Sequence, residues 1–355
     1  MIVLYVLLAV VILLLMIMIH ETGHYLAGKM LKFKIEEFSI GFGKAIFSKK
    51  MKSGEVFSIR WVPLGGYCAF KGEDEEGKED KECFNNYPCW KRLIVLFSGA
   101  FFNFLSAIIF SFILLMSVGS GIVKVDDVVA TNGNENVLKK NDIILEVNGV
   151  EPTFVNGGIV NLMKHKDIGE DIVLKVDRNG AIIDVTVQKY ATYKMDEETG
   201  DFVLDNEGNK IIESKVIGIT TDYVKFGFGK ALLKCVPYTC NMGWECLKIL
   251  GQLFTGKIGL ESIGGPITTI QTIAVSTQAN AKNLLLLFPL IAVNLAVFNW
   301  LPIPALDGAR IVFVLIEWIF RKPVPRKIEA KIHNIGLMVL FALVILIDIL
   351  HIFLF

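Results

Sequence analysis

Ile19-His20-Glu21-Thr22-Gly23-His24-Tyr25 closes an uncharged apolar run that occupies residues 1–19. His20 and His24 are four residues apart, so on a helix both imidazoles leave one face, a turn from each other. That spacing lets two neutral imidazoles take two corners of a tetrahedral zinc site. Glu21 beside them is then placed to accept a proton from water at the metal. His-Glu-x-x-His is short enough to arise by chance, and such a pair could also merely cap an anchor helix. The apolar context weighs against both, because ionisable groups in a membrane span are costly and mark functional sites.

The chain has 355 residues, more than one ordinary domain needs. Hydrophobic residues make up 53%, and 36 Lys and Arg balance 36 Asp and Glu. The zero net charge gives no sign of nucleic acid as a partner. The apolar excess lies in long runs, which predicts a polytopic α-helical membrane protein of about four spans with a soluble insert. Cys68, Cys83, Cys89, Cys235, Cys240 and Cys246 form no Cys-x-x-Cys pair and read as scattered structural thiols.

Residues 1–28 form the first span. It lacks a basic leading segment and a small-residue cleavage site, so it reads as uncleaved. Residues 29–91 are polar and lysine-rich, with strand-like alternation over 38–43 and 56–62, and Gly65-Gly66 suited to a tight bend. The acidic run 73–82 reads as a solvated loop. The second span, 92–118, is entered through Trp90-Lys91-Arg92, an interfacial anchor. Within it Ser98-Gly99 and Ser106-Ala107 permit close helix packing, and Asn103 is expected to bond a neighbouring helix. Residues 121–224 carry short apolar segments and turn residues, a small β-rich domain. Asn148-Gly149 ends one strand, Asn179-Gly180 turns a hairpin, and 205–208 marks a further turn.

Residues 225–282 form a linker region, with an interfacial helix over 228–256 and a polar stretch over 257–282 broken at Gly264-Gly265-Pro266. A third apolar run, 284–301, contains Asn294 and Asn299 and meets Pro302 and Pro304. Residues 309–320 are too short to span alone and are expected to prolong it, so that this segment covers 283–320. After a basic turn over 321–331, the last span lies within 332–355. Lys and Arg crowd the 29–92 loop and the 321–331 turn, which places both in the cytoplasm. The insert and both termini are then extracytoplasmic, and the His pair lies near the cytoplasmic side.

A catalytic zinc usually takes three protein ligands. His165, His333 and His351 are expected too far from His20. Asp307 follows the helix break at a suitable depth, although Asp307-Gly308 also reads as an ordinary turn. Asp348 is a competing carboxylate, expected toward the outer interface in a structural role.

At this point the chain resembles the site-2 proteases, intramembrane zinc metalloendopeptidases, and among them the bacterial branch that cleaves anti-sigma factors and carries a single PDZ domain. The resemblance covers nearly the whole chain. It rests on His20 to His24, on residues 38–43 and 63–67, on Phe84 with Pro88 to Arg92, on Ser98 to Asn103, on Gly264-Gly265-Pro266-Ile267, and on Asn299-x-x-Pro-x-Pro-x-x-Asp307-Gly308. It implies a membrane re-entrant β-loop and one extracytoplasmic PDZ-like domain. It implies Glu21 as the general base, Asp307 as the third ligand of one zinc ion per chain, and Asn294, Asn299, Gly65 and Gly66 in the substrate cleft. The implied partners are single-span membrane proteins such as anti-sigma factors or remnant signal peptides, trimmed beforehand by another protease, with lipid around the spans. The departures are Ala100 and Lys44 where the family commonly has Pro, and Asn141-Asp142 in place of Gly-Asp in the PDZ segment. Two rival readings are a metal-handling membrane protein and a catalytically silent scaffold or chaperone. The first would want more ligands along the spans, and the second a lost ligand or a lost Glu21.

Overall fold

Burial along α1 (Ile2–Met30) follows one stripe: Ala9, Ile12, Met16, His20, His24 and Ala27 are all buried, three or four residues apart. Val3, Leu4, Leu7, Val11 and Leu15 lie exposed, as suits a helix face turned to lipid. The two histidines therefore point into the protein. In this computed structural model the described residues are 2–73, 80–129, 133–196, 201–205, 208–259, 264–279 and 282–353. The expected acidic loop and the expected turn at 205–208 lie partly outside them, at 74–79 and 206–207. Two compact units are formed, one by residues 1–111 with 235–355 and the other by residues 112–234.

After α1 come β1 (Ile35–Lys50) and β2 (Val56–Phe70), paired antiparallel. Gly41 and Gly43, with φ of 86° and 83°, bend β1 in a way that side-chain-bearing residues resist. Phe38 has Cys68 as a partner on one side and Phe57 on the other, so residues 37–40 lie between 56–59 and 66–69. Among the described residues the 66–69 segment pairs with β1 only, so its other edge has no strand partner. Glu55 ties the sheet to α1, accepting from Tyr25 Oη at 2.9 Å and pairing with Lys29 at 2.6 Å. Burial alone would raise its carboxyl, but Lys29 and the bonds from Ser53 and Tyr25 bring it down to about 2. The stability this contributes is full above the ordinary 4.5 and fades as pH falls toward about 2.

A short 3₁₀ turn (Phe84–Asn86) leads into α2 (Cys89–Ser117). Its start corrects the expectation for Arg92, which is 1% exposed and bonded to Glu317 instead of anchoring at the interface. Removing one partner of such a buried pair costs about 3–5 kcal/mol. Asn103 is a second correction. Its side chain is fully buried, and neither end of the amide finds a hydrogen-bond partner among the described residues.

The second unit holds β3 (Val123–Val128), α3 (Asn134–Val137), β4 (Ile143–Val147), α4 (Gly158–Leu162), β5 (Asp171–Arg178), β6 (Ala181–Gln188), β7 (Tyr190–Tyr193), β8 (Ile212–Val216) and β9 (Ile219–Tyr223). Five strands form one sheet in the order β6-β5-β4-β3-β9, and β7 pairs with β8 separately. Ile172, Leu174 and Val176 are fully buried while Val173 is exposed, the period-two signature of a half-buried strand. Asn148-Gly149 and Asn179-Gly180 all take positive φ, as tight hairpin turns require. Asn141 does so too, at 73°, a conformation that Asn tolerates better than most residues with a side chain. Arg178 grips the buried Asp142 through Nε at 2.8 Å and Nη2 at 2.7 Å.

α5 (Phe228–Phe254) carries the chain out of the second unit and is followed by α6 (Pro266–Ala279), a helix packed on α1 where a polar linker was expected. Asp348 explains it: its carboxylate accepts the Ile267 and Thr268 N–H groups at 3.2 and 3.1 Å and the Thr268 hydroxyl at 2.9 Å. α7 (Asn283–Trp300) and α8 (Asp307–Phe320) are separate helices, with the break expected at Pro302 and Pro304 lying between them. α9 (Arg326–Phe353) begins inside the stretch expected to be a turn. α1, α2, α7 and α9 are long and apolar enough to cross a membrane.

Candidate metal centre

Two glycines bring α1 and α2 into backbone contact. A Cβ on Gly23 would lie 2.4 Å from Ser98 O, and one on Gly99 would lie 2.3 Å from His24 Nε2 and 2.8 Å from His20 Cε1. No side chain fits at 99 without displacing the imidazoles. Ser98-Gly99 was legible as a packing pair, but its place against the histidines was not.

The third element arrives through the break between α7 and α8. Pro302 and Pro304 carry no N–H, so two donors that would need partners in an apolar setting are absent. A Cβ on Gly308 would sit 2.1 Å from Leu301 O, so the Asp-Gly pair lets α8 start hard against the end of α7. Asp307, the first residue of α8, thereby reaches the histidines. Its Oδ2 lies 2.9 Å from His20 Nε2 and 3.2 Å from His24 Nε2, and the two Nε2 atoms are 3.1 Å apart.

The donor set fits a zinc ion. His24 Nδ1 donates to Val95 O at 2.8 Å, so in the neutral ring its Nε2 carries the lone pair. That lone pair meets a carboxylate oxygen and a second imidazole nitrogen, an arrangement that is repulsive until a cation or a proton lies between them. Zinc bonds of about 2.0–2.1 Å in a tetrahedral shell hold donors about 3.3 Å apart, close to the separations here. The Val95 carbonyl supplies the orienting bond that metal-bound histidines characteristically make. Among the described residues this is the one group of three such side chains that could hold a metal ion.

Glu21 faces β2. A Cβ on Gly66 would come within 3.7 Å of Glu21 Cγ, and the Cys68 backbone amide is directed to the Glu21 carboxylate. Gly66 is also pressed against Ser39 O and Met18 Sδ, and Gly65, with φ of 148°, against the Phe42 ring. Both glycines thus have packing reasons to be small. Asn299 donates to Leu295 O in its own helix at 2.9 Å, and Asn294 is half-buried on α7. Asp348, on α9, is bonded to the start of α6 and is not part of the cluster. A cavity of roughly 450 Å³ opens beside Asp307, lined by Glu73, Ala305, Arg310, Glu329 and His333 among others.

Four apolar helices, an inserted β unit and a His-His-carboxylate cluster define a multi-pass membrane protein with a zinc-type centre. The sequence profile of Peptidase family M50 matches residues 8–343, and the chain belongs to that family. It is similar to a protein of Fusobacterium nucleatum named a putative zinc metalloprotease, 32% identical over 97% of each chain. Proteins bearing the same description in Campylobacter jejuni and Clostridium perfringens are 29% and 30% identical, over 93% and 94% of this chain and 88% and 94% of theirs.

Proposed function

We propose that this chain hydrolyses peptide bonds of single-span membrane proteins within the bilayer, as a zinc endopeptidase. The observation that carries this reading is the convergence of His20, His24 and Asp307 on one point, beside Glu21 and an open strand edge. His20, His24 and Asp307 would hold one zinc ion. Bound there, zinc would supply Lewis acidity, polarising a carbonyl and making water nucleophilic near neutral pH. Glu21 takes the proton from the attacking water and returns it to the leaving amine. A helical substrate must unwind first. The edge of residues 66–69, next to Glu21 and beginning at Gly65-Gly66, would receive the unwound segment as an added strand. Asn294 and Asn299 would bond its freed amides. The hairpin of β1 and β2 would dip into the membrane as a re-entrant loop, and the second unit would be a PDZ-like domain acting on substrates already trimmed. Anti-sigma factors and remnant signal peptides are the substrate types this reading favours.

In a reconstituted assay the purified protein is expected to cut a single-span test substrate within its apolar segment. A chelator should abolish cleavage, and added zinc should restore it. Cleavage that survives complete removal of zinc would overturn the reading.

The orientation proposed has both termini and the second unit outside the cytoplasm. With native cysteines replaced, a cysteine at Lys52 should be shielded from impermeant thiol reagents in intact cells, while one at Lys164 should react. Both side chains are exposed. The reverse pattern would invert the topology.

A further inference from the structure

The ligand loop between α7 and α8 is held by a residue on α9. His333 Nδ1 accepts the Ala305 N–H at 3.1 Å, two residues before Asp307. Ala305 has φ of 82°, a left-handed conformation that a residue with a Cβ resists and keeps only when its surroundings hold it. The next contact along α9 is Gly336, where a Cβ would lie 2.1 Å from Pro304 Cβ and 3.1 Å from Pro304 C. The His333 ring also rests against Phe313 of α8, with centroids 5.7 Å apart. One face of α9 therefore grips Pro304 and Ala305 while the same imidazole abuts the helix that Asp307 begins.

We propose that His333 is a positioning residue for the metal centre: its Nδ1 fixes Ala305 in the left-handed conformation and so aims Asp307 at His20 and His24. Proline at 302 and 304 leaves this segment few backbone donors, and the Ala305 N–H is one of those remaining. An acceptor at that point sets where α8 starts. Loss of the acceptor frees Ala305 to relax toward negative φ, which turns the following residue and swings the Asp307 carboxylate off the histidines. The effect acts through the loop, since His333 bonds Ala305 and is not one of the three side chains grouped to hold the metal.

The inference rests on Asp307 being a zinc ligand, and the test separates the two. His333→Phe keeps ring bulk without an acceptor, whereas His333→Asn keeps an acceptor oxygen near the Nδ1 position without the ring. Zinc affinity is measured by chelator competition in detergent-purified protein of unchanged helix content, together with hydrogen exchange of the Ala305 amide. His333→Phe is expected to lose about 10–100-fold in zinc affinity, the range for groups that orient a ligand, and to expose the Ala305 amide. His333→Asn should stay close to the parent in both. Parent-like affinity in His333→Phe would overturn the proposal, and so would an equal loss in His333→Asn, which would show that restoring the acceptor does not restore the site. Asp307→Ala measured alongside should abolish tight binding. If it keeps full affinity, the ligand assignment itself has failed.

Discussion

Glu21→Gln is expected to retain about one zinc per chain and still bind substrate, while losing turnover by about 100-fold or more. General-base catalysis commonly supplies about 100- to 10,000-fold, and the amide preserves size and hydrogen bonding while removing the basic oxygen. The structure gives the reason for expecting metal retention: the cluster is closed by His20, His24 and Asp307, and Glu21 is turned toward the Gly66–Cys68 strand. The Cys68 amide that meets the carboxylate can equally donate to a glutamine carbonyl, so the side chain should stay in place. The informative measurement is zinc by elemental analysis beside the cleavage rate of the same folded preparation. If zinc falls in step with activity, Glu21 is a ligand and the assignment of base and ligands must be redrawn.

The candidate metal site was legible in part because its histidines sit in a strong local pattern. His20 and His24 announce themselves by spacing inside an apolar run, and a buried stripe on α1 is the structural form of that spacing. Asp307 was harder. From its neighbours it is as good a turn residue as a ligand, and only the approach of α8 to α7 at Gly308 brings it to the two histidines. Features that depend on a partner far along the chain left little local trace. Arg92 has the composition of an interfacial anchor, yet Glu317 takes it out of contact with solvent. α6 follows a Gly-Gly-Pro break and carries four threonines, so its sequence alone suggests a loop. It is helical because Asp348, on α9, accepts its first N–H groups. His333 was set aside as too far to bind metal, and it is indeed outside the cluster. Its contact with Ala305 depends on a backbone conformation that no residue type there advertises.

Alanine at His20, His24 or Asp307 is expected to remove the metal outright. Each substitution leaves two protein donors, and loss of a direct ligand should cost far more than the about 10–100-fold typical of groups that merely orient one. The three should be similar to one another in zinc content and all inactive, because the donors lie within 2.9–3.2 Å of each other and none is peripheral to the cluster. Asp348→Asn is the comparison that makes the series discriminating. Asp348 is a buried carboxylate too, but its oxygens are occupied by the Ile267 and Thr268 amides and the Thr268 hydroxyl. An asparagine there keeps one acceptor oxygen, so zinc should remain near the parent level, with the cost appearing as lower thermal stability. Weakening such a helix-start contact is worth about 0.5–2 kcal/mol. Should Asp307→Ala keep its zinc while Asp348→Asn loses it, the third ligand is on α9, and the joining of α7 to α8 described here cannot be the arrangement that binds metal.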